Sequence, residues 1–74
     1  MNRLKELRKE KKLNQEDFAA ILGMSQTGYS KYEVGTNDIP TKILKKSALY
    51  FNTSIDYILG LTDNPKPYER STKG

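Results

Sequence analysis

Residues 13–35 read LNQEDFAAILGMSQTGYSKYEVG, and this stretch decides the fold. Asn14 is a good helix N-cap, and Asp17 stands three places on as in a capping box, although Glu or Gln is more usual there. Phe18, Ala19, Ile21 and Leu22 then form one apolar stripe that stops at Gly23. Ser25 offers a second N-cap almost at once, for a helix running through Tyr29 and Tyr32 to Gly35. Two helices joined this tightly and packed at a steep angle need a small residue at their closest approach, and Ala19 is placed for it. The turn needs a residue tolerant of positive φ, and Gly23 follows four positions later. Apolar side chains must also point inward at set distances, which Phe18, Leu22, Met24, Tyr29 and Tyr32 supply. An ordinary helical hairpin could use the same glycine stop. The full set of spacings, with polar residues between, selects a helix-turn-helix over residues 15–32.

Working outward, residues 2–12 are nearly all helix formers, with Leu4 and Leu7 on one face, and predict a first helix. Thr36-Asn37-Asp38 reads as a polar loop, after which Pro40 suits the first position of a fourth helix reaching about Phe51. Ile43, Leu44, Ala48 and Phe51 make its apolar stripe, with Lys42, Lys45 and Lys46 facing outward. Thr53 or Ser54 caps a short fifth helix carrying Ile55, Ile58 and Leu59 and ending near Gly60. The expectation is a compact all-α domain of five helices over residues 1–61. Residues 62–74, TDNPKPYERSTKG, hold two prolines and no periodicity, and are expected to be a flexible tail or the start of a linker. No internal repeat or strand pattern competes.

Seventy-four residues can bury one small core. No cysteine is present, so there is neither a disulfide framework nor a thiolate metal site, and no histidine, which removes the commonest general base and metal ligand. The carboxylates are scattered along helix faces and caps, so an enzyme is a poor reading and no cofactor is expected. Lys plus Arg number 13 against 9 acidic residues, a net +4 that suits a polyanionic partner. The basic start lacks an apolar run behind it and is no signal peptide, and nothing approaches the roughly 20 apolar residues of a membrane span. A soluble cytoplasmic protein is expected.

The residues quoted above resemble the helix-turn-helix of the lambda-type phage repressors and Cro proteins, the Xre-like group. The resemblance runs from about Leu4 to Leu61, and its most specific pieces are Leu13-Asn14-Gln15, Ala19, Leu22-Gly23, Ser25-Gln26, Tyr32-Glu33 with Gly35, Pro40, and Ser54-Ile55-Asp56-Tyr57-Ile58-Leu59. It implies five helices with the third in the DNA major groove, and a homodimer on a roughly palindromic operator. Transcriptional regulation, more often repression by operator occupancy, is the implied function. Three departures stand out. Tyr29 occupies a usual Ile or Val position, Gly28 lies inside the third helix, and Ser47 replaces a common core leucine. Gly28 could permit close approach to DNA, make room for Tyr29, or reflect simple tolerance.

In a helix entering the major groove, the first turn and the face one turn on reach base edges. Those positions are Gln26, Thr27, Ser30 and Lys31. Gln26 can address adenine and Lys31 guanine, while Thr27 offers a methyl to thymine. Ser25 is more a cap than a base reader, and joins Gln15, Thr36, Asn37 and Lys42 as candidate phosphate contacts. Gln15 owes that role to its place at the start of the second helix and to the resemblance. Lys9, Lys11 and Lys12 read mainly as a solvated face. The resemblance also implies a largely buried ion pair between Arg8 and Glu33, two residues otherwise readable as unrelated surface charges. Tyr57, Leu59 and Leu61 are a candidate dimer surface, though they could equally be core. The competing class is a protein-interaction module, such as an antitoxin or anti-repressor, with the segment from Thr62 as its partner-binding end.

Overall fold

A computed structural model describes residues 2–68. Among them are five helices and no strand: α1 Leu4–Glu10, α2 Gln15–Leu22, α3 Gln26–Val34, α4 Thr41–Phe51 and α5 Ile55–Ile58. The expected all-α, five-helix architecture is therefore present. Side-chain caps start three of the helices. Asn14 Oδ1 accepts from the backbone N–H of Asp17, Ser25 Oγ from that of Gly28, and Ser54 Oγ from that of Tyr57. Ser54, not Thr53, is thus the cap of α5; Thr53 is buried and donates its hydroxyl to the Pro65 carbonyl at 2.6 Å. Gly23 takes φ 75° at the C-terminus of α2, the left-handed conformation that lets the chain turn directly into α3.

Several boundaries sit inside those expected. Asn2 precedes α1, and its side chain accepts from the Leu4 N–H while donating to the Tyr32 carbonyl. At the other end Lys12 adopts φ 58°, which halts the helix and lets the Leu13 N–H bond back to the Arg8 carbonyl. Pro40 caps α4 from outside, with Thr41 as the first helical residue and the N–H groups of Ile43 and Leu44 donating to the Pro40 carbonyl. Its missing N–H is no loss there.

The core joins Leu4 and Leu7 of α1, Phe18, Ala19 and Leu22 of α2, Tyr29 of α3, Leu44, Ala48 and Phe51 of α4, and Ile58 of α5. Phe18 is its hub, with ring centroids 4.9 Å from Phe51, 5.3 Å from Tyr29 and 5.5 Å from Tyr50. Edge-to-face geometry between Phe18 and Tyr29, at 82°, brings the positive ring edge to the negative face and fixes α3 on α2. Ser47 lies fully buried in this layer, and its hydroxyl has no hydrogen-bond partner among the described residues.

The chain beyond α5 lies back on the fold. Arg3 donates to the carbonyls of Tyr57 and Thr62, both at 2.7 Å, and to Asp63 Oδ1 at 2.8 Å, with its guanidinium 4.2 Å from the Tyr57 ring centre. Tyr68 donates its hydroxyl to Asp56 at 2.7 Å. The remainder of the expected tail, past residue 68, lies outside the described residues. No described helix is long and apolar enough to cross a membrane.

Candidate nucleic-acid interface

Ser25 sets the start of α3, and the polar side of that helix faces solvent from its first turn onward. Gln26, Thr27 and Lys31 are exposed and Ser30 is half-buried. Together these four side chains line a shallow, open concavity of about 370 Å³. The residues expected to read bases are therefore brought to one continuous surface on one helix. Gly28 lies on the same turn. A Cβ there would come within 3.2 Å of both Met24 Cε and Ser25 Oγ, so its bare backbone keeps the cap and the turn residue close. Tyr29, the neighbour suggested by the sequence, is not what crowds that position.

Beneath this surface runs a chain of polar side chains. Arg8 donates through Nε to Glu33 Oε2 at 2.7 Å and through Nη2 to Oε1 at 3.1 Å. Its third bond goes to the Leu13 carbonyl at 2.7 Å. Both partners are buried, as the resemblance implied. Gln15 Nε2 then donates to Glu33 Oε1 at 3.0 Å, and Gln15 Oε1 accepts from Gln26 Nε2 at 3.5 Å. Gln15, on α2, thus spans α3 from residue 26 to residue 33. Burial pushes the Glu33 carboxyl up, but the hydrogen bonds from Arg8 and Gln15, with the Arg8 charge, outweigh it and hold the group below the usual carboxylate range. The same pairing raises Arg8, against the opposing effect of its own burial. Tyr29, fully enclosed beside the pair, is pushed far up by burial and by the neighbouring carboxylate.

The flanks are less constrained. Thr36, Asn37 and Lys42 are exposed, with the backbone N–H groups of Thr36 and Asn37 folded onto the Lys31 carbonyl. That contact holds the loop against the last turn of α3. Glu16 and Asp17 already complement the positive end of α2, so a phosphate there would be met mainly by the Gln15 side chain. Tyr57 is half-buried under Arg3, Leu59 is partly exposed, and Leu61 is 72% exposed. Among the described residues no group of His, Cys, Asp or Glu could hold a metal ion.

Sequence reasoning did not single out Arg3, Asn2 or the Tyr29 hydroxyl. Arg3 and Asn2 fall by pattern in the expected first helix, and only tertiary folding brings residues 57–63 and Tyr32 to them. The Tyr29 hydroxyl carried a signal, namely a phenol at a position that elsewhere holds an aliphatic side chain.

The protein family model described as Helix-turn-helix matches residues 4–58. The chain belongs to this helix-turn-helix family, of the Xre-like type that its motifs indicated. Over 65 residues it is 42% identical to the uncharacterized HTH-type transcriptional regulator YobD of Bacillus subtilis, covering 88% of this chain and 58% of that protein. The SPbeta prophage-derived uncharacterized HTH-type transcriptional regulator YonR of the same organism is 37% identical over 57 residues, 77% of this chain and 53% of that one. The antitoxin PezA of Streptococcus pneumoniae is 36% identical over 66 residues, 89% of this chain and 42% of that one. The chain thus spans less than two thirds of the length of these relatives. No solved structure matches at a comparable level.

Proposed function

We propose that this chain is the DNA-binding domain of a transcriptional regulator, acting as a repressor by occupying an operator. The observation that carries the proposal is the surface of α3, where Gln26, Thr27, Ser30 and Lys31 share one open concavity beside the Gln15–Glu33 hydrogen bond. A helix with short polar side chains on its outer face and aromatic anchors on its inner face can enter the major groove without ordering a loop. Gln26 addresses adenine through its amide, Lys31 donates to guanine, and Thr27 places its methyl against thymine. Gln15, Ser25, Thr36, Asn37 and Lys42 contact phosphates on both sides and set the register. One such domain buries little surface, so two copies bind half-sites about 34 Å apart. The exposed Leu59 and Leu61, with Tyr57, form the surface for that pairing. A protein on DNA of this kind works in the cytoplasm.

Selection of bound sequences from a random library, followed by affinity measurements across a salt series, tests the reading. A recovered consensus with two related half-sites is expected. Equal affinity for random and selected duplexes at every salt concentration would refute it.

The similarity to an antitoxin supports a second reading, in which the same domain also serves a protein partner. Residues from Thr62 on are then the binding segment. A stoichiometric partner co-purifying with the chain, with no shift of any duplex, would favour that reading over the first.

A further inference from the structure

The last turn of α3 is held at a second point besides the ion pair. A helix cannot satisfy its final carbonyls from its own turns, and these point along its axis toward the C-terminus. The Lys31 carbonyl is met by the backbone N–H groups of Gly35, Thr36 and Asn37. The Tyr32 carbonyl takes a long bond of 3.3 Å from Gly35 and a short one of 2.8 Å from the side-chain amide of Asn2. Asn2 is itself fixed from two sides. Its Oδ1 accepts from the N–H of Leu4, at 3.0 Å, and Leu4 is fully buried in the core. The next residue, Arg3, gives its backbone N–H to the Ile58 carbonyl at 2.8 Å and its guanidinium to the Tyr57 and Thr62 carbonyls. One amide therefore ties the end of α3 to a point that α1 and α5 hold in common.

The two ties restrain different movements. The Glu33 side chain leaves α3 sideways, so its pairing with Arg8 resists rotation of the helix about its axis. The Tyr32 carbonyl lies along the axis, so the bond from Asn2 resists a slide. Sliding matters for a helix that reads bases. Base pairs stack about 3.4 Å apart, and a hydrogen bond to a base edge tolerates only a few tenths of an ångström. A slide of about 1 Å, small beside the helix shifts that interfaces commonly show, spoils base contacts while phosphate contacts persist. We infer that Asn2 is a positioning residue for DNA reading: its amide fixes α3 along the helix axis, and Arg3 holds Asn2 in place. The inference rests on the reading of α3 as the helix in the major groove.

Anisotropy titrations of the full chain at one salt concentration give the ratio of affinities for the selected operator and for a random duplex. A lost fraction of folded protein or a changed net charge acts on both affinities alike and leaves that ratio in place. Asn2→Asp keeps the acceptor for Leu4 but loses the donor to Tyr32. Asn2→Ser is neutral, keeps an oxygen for Leu4 and likewise lacks the amide. Each lowers the ratio about fivefold, which is about 1 kcal/mol at about 1.4 kcal/mol per tenfold. Arg3→Lys keeps the charge but not the planar fork, and lowers the ratio about threefold in the wild-type background. In the Asn2→Asp background it lowers the ratio no further, because the tie it supports is already gone. A ratio within about twofold of wild type in Asn2→Ser overturns the inference and leaves the proposed function standing. Additive losses from Asn2→Asp and Arg3→Lys overturn it as well, since Arg3 then acts by another route. A wild-type ratio near one means that α3 reads no bases, and the proposed function falls together with the inference.

Discussion

Arg8 and Glu33, twenty-five residues apart, form a two-point ion pair with N···O distances of 2.7 and 3.1 Å, and almost none of either residue reaches solvent. It joins α1 to the last turn of α3, so the helix offered to DNA is braced from below at one end and capped by Ser25 at the other.

Breaking this pair one partner at a time leaves a buried charge without its counter-ion. Arg8→Ala or Glu33→Ala should each cost roughly 3–5 kcal/mol. Replacing both by apolar residues of similar size, as in Arg8→Met with Glu33→Leu, should recover most of that loss. Urea unfolding of the three variants checks this. A double variant no more stable than the singles would show that the pair itself, not its unpaired remnant, matters.

Acid should attack the same place. Glu33 binds its proton less readily folded than unfolded, so its stabilisation is fully present above the unfolded value of about 4.3. It declines as pH falls from there through the lower folded value. Thermal melts from pH 6 to pH 2 should show this decline, and Glu33→Gln should flatten it. An unaltered slope in Glu33→Gln would assign acid unfolding to other carboxylates.

Under the proposed function, side chains assigned to bases and those assigned to phosphates separate by their effects. Gln26→Ala and Lys31→Ala should each relax preference at one base position by about 1–3 kcal/mol. Lys42→Ala should weaken all sequences alike and reduce the slope of log affinity against log salt by about 1. Library selections with each variant decide between the two patterns. An unchanged consensus for Gln26→Ala would remove it from the readers.

Ser47 invites a stabilising change. Its enclosed hydroxyl has no partner among the described residues, and alanine keeps the helix while removing an unsatisfied group. Ser47→Ala should stabilise the fold by about 1 kcal/mol, visible as a higher melting temperature. A lower one would mean that the hydroxyl bonds within its own helix.

Arg3 makes the opposite case. Arg3→Ala removes three donated bonds and the stacking on Tyr57, and should release residues 62–68 before the core opens. Amide exchange at Leu61 and Tyr57 would report it. Protection unchanged at both would show that Thr53 and Tyr68 hold the segment unaided.

What could be read from the sequence follows from range. The caps Asn14, Ser25 and Ser54 act on N–H groups three residues away, and Gly23 acts on its own backbone, so α2, α3 and their turn are written locally. The four side chains of the concavity follow from helical spacing within one element. The Arg8–Glu33 pair spans 25 residues, and without the family pattern it would have looked like two surface charges. Arg3 reaches 54 to 60 residues away, mostly to carbonyls that every residue carries, and such a bond leaves no trace in composition or periodicity. Lys12 was hidden for another reason. Nothing in a run of helix-forming lysines announces the one that turns left-handed.

Lys12 has a consequence for how this domain can change. A lysine at φ 58° carries strain of about 1–2 kcal/mol that asparagine or glycine would largely avoid. The position is exposed, and among the described residues its side chain makes no ion pair. A single substitution there can therefore raise the tolerance of the whole fold without touching the surface proposed to meet DNA. That reserve could absorb destabilising substitutions among Gln26, Thr27, Ser30 and Lys31, and so let a descendant acquire a new operator while still folding.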